Sequence, residues 1–207
     1  MIRFAVVCFV LLGALPAAAQ DAKLTERAAK SRLKGNQEAA VIVYEIADFQ
    51  CPFCARFARD VFPRIDSAYV RTGKVQWIFV NLPLPNHANA WAAAESAMCA
   101  GGASDKFWGM HDLIFERQSR WANARDAAAI LAGYAKELAV DTTAYDKCVQ
   151  GDQTAALIVR DVLLSTSVRV TGTPAFSING AESFSGLRSF DEWREMLEAA
   201  LKRPPVR

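Results

Sequence analysis

Cys51 and Cys54, two residues apart in DFQCPFCARF, follow an apolar run, VIVYEIA, and enclose Pro52 and Phe53. This spacing serves three chemistries: a small structural disulfide, half of a zinc site, or a dithiol that trades electrons with other thiols. With Cys51 as N-cap of a helix beginning at Pro52, its sulfur faces the unpaired amides of the first turn and the positive end of the helix dipole, and both favour thiolate over thiol. Pro52 at the first helical position costs no hydrogen bond. Cys54 stands one turn on, close enough to attack a mixed disulfide on Cys51. The spacing therefore predicts an exposed nucleophile, Cys51, and a buried resolving thiol, Cys54. A zinc centre needs a second ligand pair. Cys99 and Cys148 stand alone, and the chain has only two histidines, His87 and His111, read here with Trp91, Trp108 and Trp121 as packing and surface groups. No metal and no cofactor is expected.

Such chemistry requires a strand that delivers Cys51 to a helix. Residues Ala39 to Ile46 are apolar and β-branched and read as a buried strand. Pro52 to Arg71 carries apolar residues at helical spacing (Phe53, Phe57, Val61, Ile65, Tyr69), Gly73 stops it, and VQWIFV (75–80) reads as a second buried strand. Strand, helix, strand favours a parallel crossover. From there to about Ser167 no strand is evident, and four or so helical segments are expected, separated at GGAS, 123–126, AVDTT and QGDQT. β character resumes at VTGTPAFSI, followed by a turn at Asn179-Gly180, a weaker strand near 182–184 and an amphipathic helix from Phe190 to Leu201. The expected organisation is a signal over 1–19, a helical extension over 20–38, a first α/β part over 39–86, an inserted helical subdomain over 87–167, a second α/β part over 168–203 and a tail, 204–207.

The first residues bear on compartment. Arg3 is followed by an apolar run to Leu15 and by Ala17-Ala18-Ala19, the pattern of a cleaved secretory signal. The run is shorter than the ~20 residues that span a bilayer, so no membrane insertion is expected. Cleavage would remove Cys8 and Arg3, leaving four cysteines and taking the formal net charge from +2 to +1. The remaining charges are scattered, with no footprint for nucleic acid or an anionic membrane. Export would place the thiols where disulfides persist. Cys99 and Cys148, both in the helical insertion, then pair most simply with each other, which would stabilise the fold by roughly 4 kcal/mol in the chain-entropy model; two reduced buried thiols are the alternative.

Taken in order, EIADFQCPFC, LPLPNHANAWAAAESAMCA, DKFWGMHDLIF and VTGTPAFSING resemble the thioredoxin-like, DsbA-type thiol-disulfide oxidoreductases, specifically the branch with DFxCPxC and GTPxF motifs. The resemblance covers nearly the whole mature chain and implies an α/β thioredoxin-like fold with an inserted all-α subdomain. It implies that Thr173-Pro174 is cis and lies against the dithiol, turning the Thr173 backbone toward Cys51 to meet an extended substrate chain. It places Glu45 where the family often keeps a buried acid; desolvation would raise its pKa and let it exchange protons during the reaction. A solvated edge position is the alternative, and Asp48 suits a turn or cap.

The resemblance implies protein thiol-disulfide exchange in the periplasm, with Pro52, Phe53 and Thr173 contacting unfolded or reduced secreted proteins and a membrane partner reoxidising the dithiol. Direction is left open. The strongly oxidising relatives carry histidine where this chain has Phe53, and valine where it has Thr173, so a moderately oxidising enzyme is expected; residues 21–38 are too few for the added N-terminal domain through which isomerase and reductase relatives dimerise, so a monomeric oxidase is the first expectation. Two alternatives stand beside it: an isomerase or reductase assembled through the N-terminal helix, and a thiolate module for Cu(I).

Overall fold

The computed structural model describes residues 17–203. Residues 1–16 of the expected signal and the expected tail lie outside the described residues. The chain begins with α1 (Ala17–Ser31), β1 (Leu33–Lys34) and β2 (Val41–Ala47). A continuous helical run follows, alternating α2 (Pro52–Arg56), π turns (Phe57–Val61), α3 (Phe62–Ile65) and further π turns (Asp66–Val70), before β3 (Val75–Asn81). Six helices come next: α4 (Ala90–Ser104), α5 (Phe107–Glu116), α6 (Gln118–Trp121), α7 (Ala127–Glu137), α8 (Thr142–Gln150) and α9 (Ala155–Ser167). The chain then returns through β4 (Ala175–Ile178) and β5 (Phe184–Ser185) to α10 (Phe190–Leu201).

The sheet order is β1-β3-β2-β4-β5. β2 and β3 run parallel, with Glu45 opposite Phe79; β4 joins β2 antiparallel, with Glu45 opposite Phe176. Alternation sorts the sheet's two faces. Val41, Val43, Val75, Trp77 and Phe176 meet Phe57, Phe62, Ile65, Trp193 and Leu197 on one side. On the other, Ile46 and Val80 pack with Leu82, Ala175 and Val162 of α9. A third cluster joins Phe49, Phe79 and Cys54 to the helical insertion through Met98, Phe107, Met110 and Phe115. This is a thioredoxin-like α/β fold carrying a helical insertion.

Two details differ from the sequence reading. The helix after the motif is not uniform: Pro63 has no amide hydrogen to donate one turn back, and the ladder around it passes into π turns on both sides. The N-terminal extension is not helical throughout, since Leu33 and Lys34 pair with Ile78 and Trp77 as an edge strand. GGAS closes a helix as expected, since α4 ends at Ser104 with Asp105 in the left-handed region as its C-cap, and its glycines have a second use. Added Cβ atoms on Gly101 and Gly102 would fall 2.1 Å from Ser31 Oγ and 2.7 Å from Leu24 Cδ2. These glycines are there so that α1 can lie close on α4. The extra helices of the insertion arise at polar caps: Asp126 and Asp141 accept from the amides of Ala129 and Ala144 at 3.0 and 3.1 Å.

Cys99 and Cys148 form a disulfide between α4 and α8, with Cα atoms 5.7 Å apart. Both cysteines are fully buried.

Candidate active site

β2 ends at Ala47, and Asp48 makes the turn that follows. Its buried carboxylate accepts from the amides of Gln50 (2.6 Å) and Leu84 (2.8 Å) and faces His87 Nδ1 at 2.7 Å. The turn delivers Cys51 in extended conformation (φ −69°, ψ 124°) as N-cap of α2, with Pro52 at the first helical position. The Cys51 carbonyl accepts the first helical hydrogen bond, from Ala55 at 3.1 Å. Pro52 and Phe53 are exposed, Phe53 to 54%, and Cys54 is fully buried as expected, but Cys51 is not the exposed thiol expected from the spacing: packed against Thr173, it is only 4% exposed.

Both motif cysteines are free thiols. Thr173-Pro174 is a cis peptide, and the Cys51 thiol donates to the Thr173 carbonyl at 3.3 Å. The Thr173 hydroxyl is buried with no partner among the described residues, free to donate to the sulfur once it ionises. Cys51 is lowered from the ordinary thiol value to about 6, chiefly by its hydrogen bond with the Cys54 thiol and further by Thr173 and the amides of Cys54 and Phe53, against the opposing effect of burial. Cys54 moves the other way, pushed well above the thiol range by burial and by the neighbouring Cys51 sulfur. Two chemically identical side chains are thus driven apart by position alone.

Glu45 is fully buried on β2, not on a solvated edge. Trp77 Nε1 donates to Oε2 at 2.7 Å, and Oε1 has no partner among the described residues. Burial raises its pKa to about 8, with the Trp77 hydrogen bond opposing. His111 is buried beside Phe49, Phe79 and Phe115, and burial lowers its pKa.

The sequence reading missed a set of side-chain amides around the motif. Gln118 Nε2 donates to the carbonyls of Phe49 (2.7 Å) and Cys51 (3.0 Å). Gln50 donates to Ala122 O at 2.8 Å and accepts from the Asn89 amide at 2.7 Å, while Asn89 Nδ2 lies 3.0 Å from both Ala122 O and Ala124 O. No periodicity marks these residues, because their partners are backbone carbonyls tens of positions away.

The thioredoxin family model matches residues 27–199. The chain belongs to the thioredoxin family. Among its relatives, the disulfide bond formation protein D of Bacillus subtilis is 26% identical over 169 residues, covering 81% of this chain and 76% of that protein. A putative protein-disulfide oxidoreductase of Rickettsia prowazekii is 27% identical over 150 residues, which are 72% of this chain and 54% of the relative. The crystal structure of α-DsbA1 from Wolbachia pipientis superposes with a TM-score of 0.73 at 22% identity, over 82% of this chain and 90% of that one. This member of the thioredoxin family is a thiol-disulfide oxidoreductase.

Proposed function

We propose that this thioredoxin-family protein oxidises exported protein thiols, acting in the periplasm as a monomer. In the disulfide form, a substrate thiolate attacks Cys51 Sγ, the Cys51–Cys54 bond breaks, and Cys54 leaves. Its raised pKa draws a proton onto the departing sulfur, and Glu45, a neutral acid up to about pH 8, is the proposed source. A second substrate thiolate then attacks the substrate sulfur of the mixed disulfide, and Cys51 departs as the stable thiolate. The substrate gains a disulfide and the protein keeps two electrons, which a membrane partner is proposed to remove. Exposed Pro52 and Phe53, with the Thr173 backbone, form the proposed contact surface for unfolded chains.

The observation that carries this reading is the split in acidity between Cys51, which caps the helix beside the cis Thr173-Pro174 peptide, and the fully buried Cys54. A low pKa on the leaving sulfur favours release of the substrate and stabilises the reduced protein, which makes a stronger oxidant. Phe53, in place of a histidine donor, tempers that. Equilibration with glutathione should give a potential between about −120 mV, the reference value for DsbA, and about −270 mV, that for thioredoxin. Cys54→Ala should trap a mixed disulfide through Cys51 when offered an oxidised substrate. A potential at the thioredoxin value would reverse the proposed direction; saturable Cu(I) binding without substoichiometric refolding activity would replace catalysis by metal sequestration.

A further inference from the structure

Gln118 opens α6, a four-residue helix of the insertion, yet its side chain reaches across to the backbone that carries the nucleophile. One amide nitrogen serves two carbonyls, those of Phe49 and Cys51, on either side of Gln50. The Cys51 carbonyl also accepts from Ala55, so it is the first acceptor of the helical run. A carbonyl oxygen this near a sulfur presents negative potential to it, and a second donor on that oxygen withdraws part of the potential. We infer that Gln118 is a positioning residue through which the helical insertion sets how readily Cys51 ionises, by neutralising the Cys51 carbonyl. The inference rests on the exchange chemistry proposed above and adds the group that tunes it.

The Cys54 thiol, Thr173 and the amides of Cys54 and Phe53 act on the same sulfur directly. The charged and titratable groups nearby are the buried Asp48, whose carbonyl accepts from the Cys51 amide, and Arg59, His87 and Glu116, which line the groove of about 540 Å³ that Pro52 and Gln118 share. Gln50 supplies an internal control. It fixes the same loop, to Ala122 and Asn89, without touching the Cys51 carbonyl.

The test compares Gln118→Glu, Gln118→Leu and Gln50→Leu in the reduced full chain, reading thiolate absorbance against pH and, separately, the equilibrium constant with glutathione. Gln118→Glu keeps size while placing acceptor oxygens against the carbonyls. It should reduce the thiolate-to-thiol ratio of Cys51 at pH 6 about tenfold, one pKa unit, and shift the glutathione equilibrium toward the disulfide form of the protein. Gln118→Leu should move both in the same direction by less. Gln50→Leu should lower the melting temperature and leave the titration in place. An unchanged Cys51 titration in both Gln118 variants, or an equal shift in Gln50→Leu, would overturn the inference. Neither result touches the proposed oxidase activity, which is read independently from substrate refolding by the native chain.

Discussion

At Glu45 a carboxyl is enclosed by the sheet with one donor, Trp77, for two oxygens. A carboxyl buried with so little compensation stays protonated past the usual carboxylate range, here to about 8. The folded form therefore binds a proton that the unfolded chain releases near pH 4.5, and stability present below that value is lost as pH rises through about 8. Glu45→Gln removes the titration while keeping a donor and an acceptor. Its melting temperature should fall less than that of the native chain between pH 5 and 9; parallel curves would show that Glu45 does not carry the proton. Part of this was readable beforehand: the resemblance placed a buried acid at Glu45, on an apolar strand, with a solvated edge position left open. Cys51 and Cys54 were readable from their spacing, which fixed which sulfur caps the helix. Gln118 was not, because a hydrogen bond from one amide to two distant carbonyls leaves no trace in local pattern.

Among the elements, α1 and α4 show what composition leaves unsaid. Gly101 and Gly102 read as a break, and α4 does end at Ser104, but the absence of two side chains in its last turn also lets Leu24 and Ser31 settle against the helix backbone. A helix over this segment was expected from the sequence; what Leu24 and Ala28 pack on was not, since a helix face does not name its partner. Gly102→Ala should destabilise the fold by about 1–3 kcal/mol, measured by urea denaturation, because the nearest atoms include the Leu24 carbonyl at 2.9 Å as well as its side chain. An unchanged midpoint would mean that α1 slides to accommodate the methyl. β1 escaped notice for a related reason: two residues are too few to show alternation.

For the whole molecule, the packing of α1 bears on assembly. Leu24 and Ala28 spend their apolar surface inside the chain, and Arg32 pairs with the buried Asp161 of α9, which also receives both nitrogens of Asn81 at 3.0 Å. The extension is thus pinned to the insertion and to the sheet, which leaves little of it for a stalk. Light scattering of the protein should give a single-chain mass, and removing residues 21–38 should lower the melting temperature without altering the number of chains; a dimer that dissociates on truncation would restore the stalk reading. The sheet order carries one more consequence. β2 lies in the centre, with β3 supplied within thirty-odd residues but β4 only after the entire insertion. A chain emerging from its N-terminus first would hold one flank of β2 unzipped, beside both reactive thiols, until the last forty residues arrive. Such an incomplete molecule would be a natural client for holding factors, and its own cysteines would be among those at risk of errant pairing.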